Sequence, residues 1–191
     1  FTGNTAILGG GWYDLDSSIG KGAQNNPRLT GCQFLENAAT NRGGGFYCIS
    51  EELPSRPVLV NCSFENNSAR GSGGGFEATD SEPGLSGCVF SGNSSRYGGG
   101  ISNLRSSTLC VNGTFTQNTA SRGGAWLNFE SSPRLRGCEF RNNTATETGR
   151  DLPPGGAIGN WALNSVSTIS ESIFCGNQPV AISPPGSWKD S

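Results

Sequence analysis

At 191 residues, with a net charge of −2 and no His, the chain disfavours two function classes from the outset: nucleic-acid binders, which need a basic face, and zinc sites, which lose a common ligand. A count of 30 Gly and a hydrophobic content of 33% could mean disorder, but the apolar residues recur at fixed offsets, so the Gly is read as periodic turns. No stretch approaches the roughly 20 apolar residues of a spanning helix, so membrane insertion of this segment is not expected.

Taken along the chain, the first unit opens at Phe1, with Asn4 three residues on and Ala6 five residues on. Phe34, Phe64, Phe90, Phe115, Phe140 and Phe174 open the next six units. Asn37, Asn67, Asn93, Asn118, Asn143 and Asn177 follow at the same offset. The small residue recurs as Ala39, Ala69, Ser95, Ala120 and Ala145, and Pro179 breaks the series. Two residues before Phe stand Cys32, Cys62, Cys88 and Cys138, with Gly113 and Ser172 in the other two units. Earlier still lies an aliphatic residue: Leu29, Leu59, Leu85, Leu109, Leu135 and Ile169. After each Asn except Asn177 a Gly pair begins, at Gly9, Gly43, Gly73, Gly98, Gly123 and Gly155, leading to Trp12, Phe46, Phe76, Ile101, Trp126 and Ile158.

Within each unit the apolar positions fall two apart, the period of a strand, and no helical period is sustained. The spacing between Phe residues falls to 25 between Phe90, Phe115 and Phe140, a length suited to one coil of a solenoid with two or three short strands. Identical residues would then stack every ~4.8 Å, strand beside equivalent strand. The seven Asn would hydrogen-bond amide to amide along the axis, and the Gly would supply a turn with φ > 0. An antiparallel sandwich, the competing architecture, has no reason to repeat the same Asn and the same Gly pair in every unit. The expectation is therefore an all-β parallel β-helix of about seven coils over residues 1–178, followed by a Pro-rich exit segment at 179–191. Because Phe1 already opens a repeat, the segment reads as a fragment of a longer chain.

The stretches "FTQNTASRGGAW" (115–126), "FRNNTA" (140–145) and "GGAI" (155–158) resemble the FxxN and GGAI repeats of chlamydial polymorphic outer-membrane proteins. That resemblance implies a right-handed parallel β-helix of the pectin-lyase-like type, and a surface-exposed passenger that takes part in adhesion. Most units here carry GGG in place of GGA, and GGAI itself occurs once.

Several side-chain groups fall outside this architecture. Sequons begin at Asn61, Asn66, Asn93, Asn112 and Asn142, and with the repeats they suggest an extracellular or cell-surface location and candidate glycosylation. Arg42, Arg70, Arg96 and Arg122 precede the Gly pair in four successive units, a candidate stripe for anionic glycans. Tyr13 and Tyr47 are adjacent in the predicted stack and offer a sugar-stacking platform. Insertions at Asp14 to Asn26 and Glu51 to Arg56 could bring Asp14, Asp16, Glu51 and Glu52 into one acidic loop patch. A further long arc runs from Thr146 to Pro154. The inward Cys are expected to be mainly a thiol stack, since in-register parallel neighbours have poor disulfide geometry. Cys175 should face outward.

No catalytic set emerges: the outward row after the Gly pair reads Tyr13, Tyr47, Glu77, Ser102, Leu127 and Gly159. Neither a cofactor nor a metal is expected. The leading expectation is a non-enzymatic domain for adhesion or structural assembly, with other domains or subunits stacking on the coil ends. The alternative is a carbohydrate-active enzyme or glycan-binding module.

Overall fold

The computed structural model describes residues 1–16, 26–51, 53–147, 154–162 and 164–183. Among these the chain is an all-β parallel solenoid of about six turns without a helix. The seven Phe bound about six full turns, and each full turn contributes a strand to four sheets where two or three strands were expected. One turn shows the plan: Val58–Val60, Ser63–Glu65, Ser68–Ser72 and Phe76–Thr79. The first belongs to a leucine sheet, the second to a phenylalanine sheet and the third to an alanine sheet. The fourth belongs to a long sheet that follows the Gly pair. Every strand pairs in parallel with its equivalent one turn away, as in Phe64↔Phe90↔Phe115.

The strands are short because left-handed residues turn the chain sharply. Two turn positions lie three residues before and two residues after each Phe. Asn61, Gly87, Asn112 and Gly137 occupy the first, and Asn66, Gly92, Gln117 and Asn142 the second, all with φ between 52° and 64°. Asn and Gly tolerate this region best and hold most of these places, while Glu36, Gln117 and Glu171 adopt it in the other turns. The Gly pair is needed for a second reason. A Cβ on Gly44 would lie 2.3 Å from the Gly74 carbonyl oxygen of the next turn, so the backbones approach too closely for a side chain.

Inside, six ring contacts join Phe1, Phe34, Phe64, Phe90, Phe115, Phe140 and Phe174 in one column, with centroids 4.6 to 5.0 Å apart. That spacing is the strand spacing, so the backbone register sets the ring stack. Phe46 and Phe76 meet this column edge-on, at 5.9 and 6.1 Å. The Asn column is continuous. Each Asn Nδ2 from Asn4 to Asn143 donates to the Oδ1 of the Asn one turn on, at 2.8 to 3.0 Å.

One column differs from its sequence reading. Leu109 is 49% exposed, and the buried position between Leu85 and Leu135 belongs to Cys110. The substitution is coupled to Gly113, which takes the place of Cys in the next column. A Cβ on Gly113 would lie 2.6 Å from Cys110 Sγ, so the Cys110 side chain occupies the space that a residue at 113 would need. All seven cysteines are free, Cys138 Sγ lying 3.8 Å from Cys110 Sγ, and Cys175 is exposed.

Candidate functional site

Alternation along the long sheet sends Phe46, Phe76, Ile101 and Trp126 inward and Tyr47, Glu77, Ser102 and Leu127 outward. An outward row should be exposed, yet Tyr47, Glu77, Ser102 and Leu127 are all buried. Side chains from the neighbouring alanine sheet and from just beyond the long sheet rise over the row. Arg42, Tyr97 and Trp161 form the walls of a cleft of about 190 Å³, with Glu77, Ser102 and Leu127 in its lining.

Glu77 is the chemical centre of this cleft. It is only 1% exposed, and its Oε1 lies 3.8 Å from Arg42 Nη1 and accepts from Thr79 Oγ1 at 3.5 Å. Its Oε2 is buried with no hydrogen-bond partner. Burial pushes the carboxyl up to about 7, and the Ser102 hydroxyl, Arg42, Ser72 and Thr79 offset only part of that. A carboxyl in this condition can accept a hydrogen bond or, protonated, donate one near neutral pH.

The aromatic wall is held from behind. Arg122 forms a two-pronged ion pair with Glu147, its Nη2 donating at 2.8 Å, and its guanidinium lies 4.1 Å over the Trp161 ring. Trp161 also meets Tyr97 at 5.1 Å and Phe129 edge-on at 5.6 Å. Beneath the cleft runs a second amide ladder. Asn103 Nδ2 donates to Asn128 Oδ1 at 3.2 Å, and Asn128 Nδ2 to Asn160 Oδ1 at 3.1 Å. Sequence reading missed it, although an Asn stands two residues after each of Ile101, Trp126 and Ile158.

The four arginines do not share one column. The residue before the Gly pair is Leu8, Arg42, Ser72, Tyr97 and Arg122 in successive turns, in register. Arg70 and Arg96 each directly follow the alanine column, which puts Arg70 two places upstream of Ser72 and Arg96 one place upstream of Tyr97. Arg70 and Arg96 are exposed, Arg96 over its own neighbour Tyr97 at 5.0 Å, whereas Arg122 is buried. Tyr13 and Tyr47 do stack, at 5.5 Å, but Tyr47 is buried and only Tyr13 offers an open ring.

The acidic loop patch does not assemble either. Asp14 and Asp16 belong to the strand Trp12–Asp16, and alternation turns both inward, where they are buried. Ser55 Oγ donates to Asp14 Oδ2 at 3.2 Å, and burial raises the Asp14 pKa, with the Asp16 charge adding to it. Glu51 stays exposed, while Glu52 and residues 17–25 lie outside the described residues, as does most of the arc from Thr146 to Pro154. Among the sequons, Asn61, Asn66, Asn112 and Asn142 sit exposed in left-handed turns. Asn93 is fully buried in the main ladder and is closed to modification. Among the described residues no group of three or more His, Cys, Asp or Glu is placed to hold a metal ion, and no helix is long and apolar enough to cross a membrane.

Comparison with known families agrees with the repeat geometry. Residues 61–79 and 87–104 match the Chlamydia polymorphic membrane protein repeat. They lie in successive turns, upstream of the 115–158 stretches whose wording carries the resemblance. None of the curated proteins and none of the solved structures matches the chain. The columns of the two matched turns continue on both sides of them, so turns similar to the Chlamydia polymorphic membrane protein repeat lie within one continuous parallel β-solenoid.

Proposed function

We propose that this chain is a segment of a surface-associated protein whose stiff solenoid presents one face for adhesion. The repeat family supports an outer-membrane or surface protein. The carrying observation is the division of labour among side chains. The recurring Asn, Phe and Gly are consumed by the stack, whereas the cleft over Glu77 is lined where the turns differ. Stiffness follows from the two amide ladders and the ring column, which leave little freedom between turns.

Glu77 also favours a second reading, since a carboxyl near neutral pKa suits acid–base chemistry on a glycan. Glycoside hydrolysis ordinarily needs a second carboxylate about 5–9.5 Å away. Among the described residues Glu77 is the one carboxylate lining this cleft, so binding is preferred to cleavage.

The test is attachment of beads coated with the whole chain to a panel of cultured cells. Protease shaving of intact cells that carry the parent protein runs in parallel. Specific attachment and release of solenoid fragments by shaving are expected. Beads that attach no better than uncoated ones would remove the adhesion reading, and a shaving-resistant chain would remove the surface location.

A further inference from the structure

We infer that the cleft over Glu77 is a binding site for a single uncharged, hydroxyl-rich sugar ring of a glycan. This rests on the adhesion reading and names the ligand class of its binding face. The first ground is the Glu77 carboxyl, 1% exposed in the lining of the cleft, whose buried Oε2 makes no hydrogen bond. A buried acceptor without a donor is costly, and a ligand hydroxyl supplies the missing hydrogen bond.

Charge and polarity define the ligand further. Arg42 Nη1 lies 3.8 Å from Glu77 Oε1, so with the carboxyl ionised the pair balances and the cleft favours neither an anion nor a cation. Hydroxyl groups of Ser72, Thr79 and Ser102 surround the carboxyl, and each both donates and accepts. A ligand carrying several hydroxyls matches a set of this kind. Leu127, next to Ser102 in the same row, joins Tyr97 and Trp161 in an apolar part of the lining suited to the C–H face of a sugar ring. The wall is pre-set, because Trp161 is braced by Arg122 and Phe129. At about 190 Å³ the cleft is smaller than the roughly 300–1,000 Å³ of drug-sized ligand sites, so it takes one ring and leaves the rest of a chain outside.

The experiment uses the whole chain against a glycan array of uncharged, sialylated and sulfated oligosaccharides, then NMR titration with the best uncharged binder. Binding of uncharged hexose-type glycans is expected, with shifts centred on Glu77, Ser102 and the Trp161 indole N–H. Glu77→Ala should weaken binding about tenfold or more, the loss of one hydrogen bond to a charged or partly charged group. Ser102→Trp should block the cleft. The wild-type titration stands even if either variant fails to fold. Binding confined to anionic glycans, shifts centred on Arg70 and Arg96, or no binding on the array would each overturn the site, the last leaving it a hydrated cleft only. Cell attachment that survives glycosidases and is lost to protease would mean a protein receptor, so that adhesion stands and the sugar site falls. Glycan binding without cell attachment would leave the site and remove adhesion.

Discussion

Asn93 Nδ2 donates both to Asn118 Oδ1 one turn on, at 3.0 Å, and to the Phe64 carbonyl one turn back, at 2.8 Å. Asn118 Oδ1 also accepts the Asn93 backbone N–H at 3.0 Å. Each amide thus ties three successive turns. A buried polar column of this kind is stable only because its members are mutually satisfied.

Asn118→Ala is therefore expected to be among the most damaging single changes. It removes the two donations to Asn143 Oδ1 and the Phe90 carbonyl, and the acceptor of Asn93. At about 1–3 kcal/mol per buried group left without a partner, the loss should reach roughly 3–5 kcal/mol. Urea unfolding measures it, and a loss below about 1 kcal/mol would show the ladder to be energetically idle.

Phe90→Ala removes a ring stacked between Phe64 at 4.6 Å and Phe115 at 5.0 Å. A core truncation of this size costs about 3–5 kcal/mol. An unchanged melting temperature would contradict the register.

Cys110 and Gly113 should be energetically coupled. Gly113→Ala places a methyl against Cys110 Sγ and the Phe115 ring, and overpacking of this kind costs about 1–3 kcal/mol. Adding Cys110→Ala relieves the sulfur contact, so the double variant should be less destabilised than the two single changes added together. Simple additivity in a denaturation cycle would refute the compensation.

Glu77 sets a pH dependence of definite sign. Its folded pKa of about 7 lies above the ordinary 4.5, so the folded state holds the proton more tightly. Its contribution is full below about 4.5 and is lost as pH rises through about 7, on the order of 3 kcal/mol. Asp14 shifts in the same direction and adds to the slope from a lower pH. Thermal melts from pH 5 to 8 should fall for the native chain and flatten in Glu77→Gln; equal slopes would exclude Glu77 as the source.

In a host that N-glycosylates, peptide mass spectrometry should find Asn93 unoccupied in folded protein, because its amide is wholly buried. Occupancy is confined to the exposed turn positions Asn61, Asn66, Asn112 and Asn142. A glycan on Asn93 in a natively folded sample would contradict the ladder.

The solenoid itself was legible in the sequence. Stacking forces equivalent residues into equivalent surroundings, so Phe, Asn and Gly repeat at set offsets and can be aligned by eye. Where one column changes, however, a neighbouring column answers, and a linear alignment does not see across the core. Leu109 matched the aliphatic pattern, yet Cys110 is the residue inside, because Gly113 left room for its sulfur. The arginines all precede the Gly pair, yet Arg70 and Arg96 directly follow the alanine column and fall out of line with Arg42 and Arg122, whose register partners in those turns are Ser72 and Tyr97. Asp14 and Asp16 read as loop carboxylates until the long sheet extended through them and its alternation turned them inward.

The candidate site belongs wholly to that second kind of information. Glu77 is one outward residue in a row of six, and nothing in its immediate sequence marks it. It becomes a buried carboxyl among Arg42, Ser72, Thr79 and Ser102, in a cleft that Tyr97 and Trp161 of later turns also line. The sequence by itself determined the repeat, since the same short-range forces act on every turn. Tertiary structure decided which outward side chains are covered, since that depends on long-range packing where the turns cease to be alike.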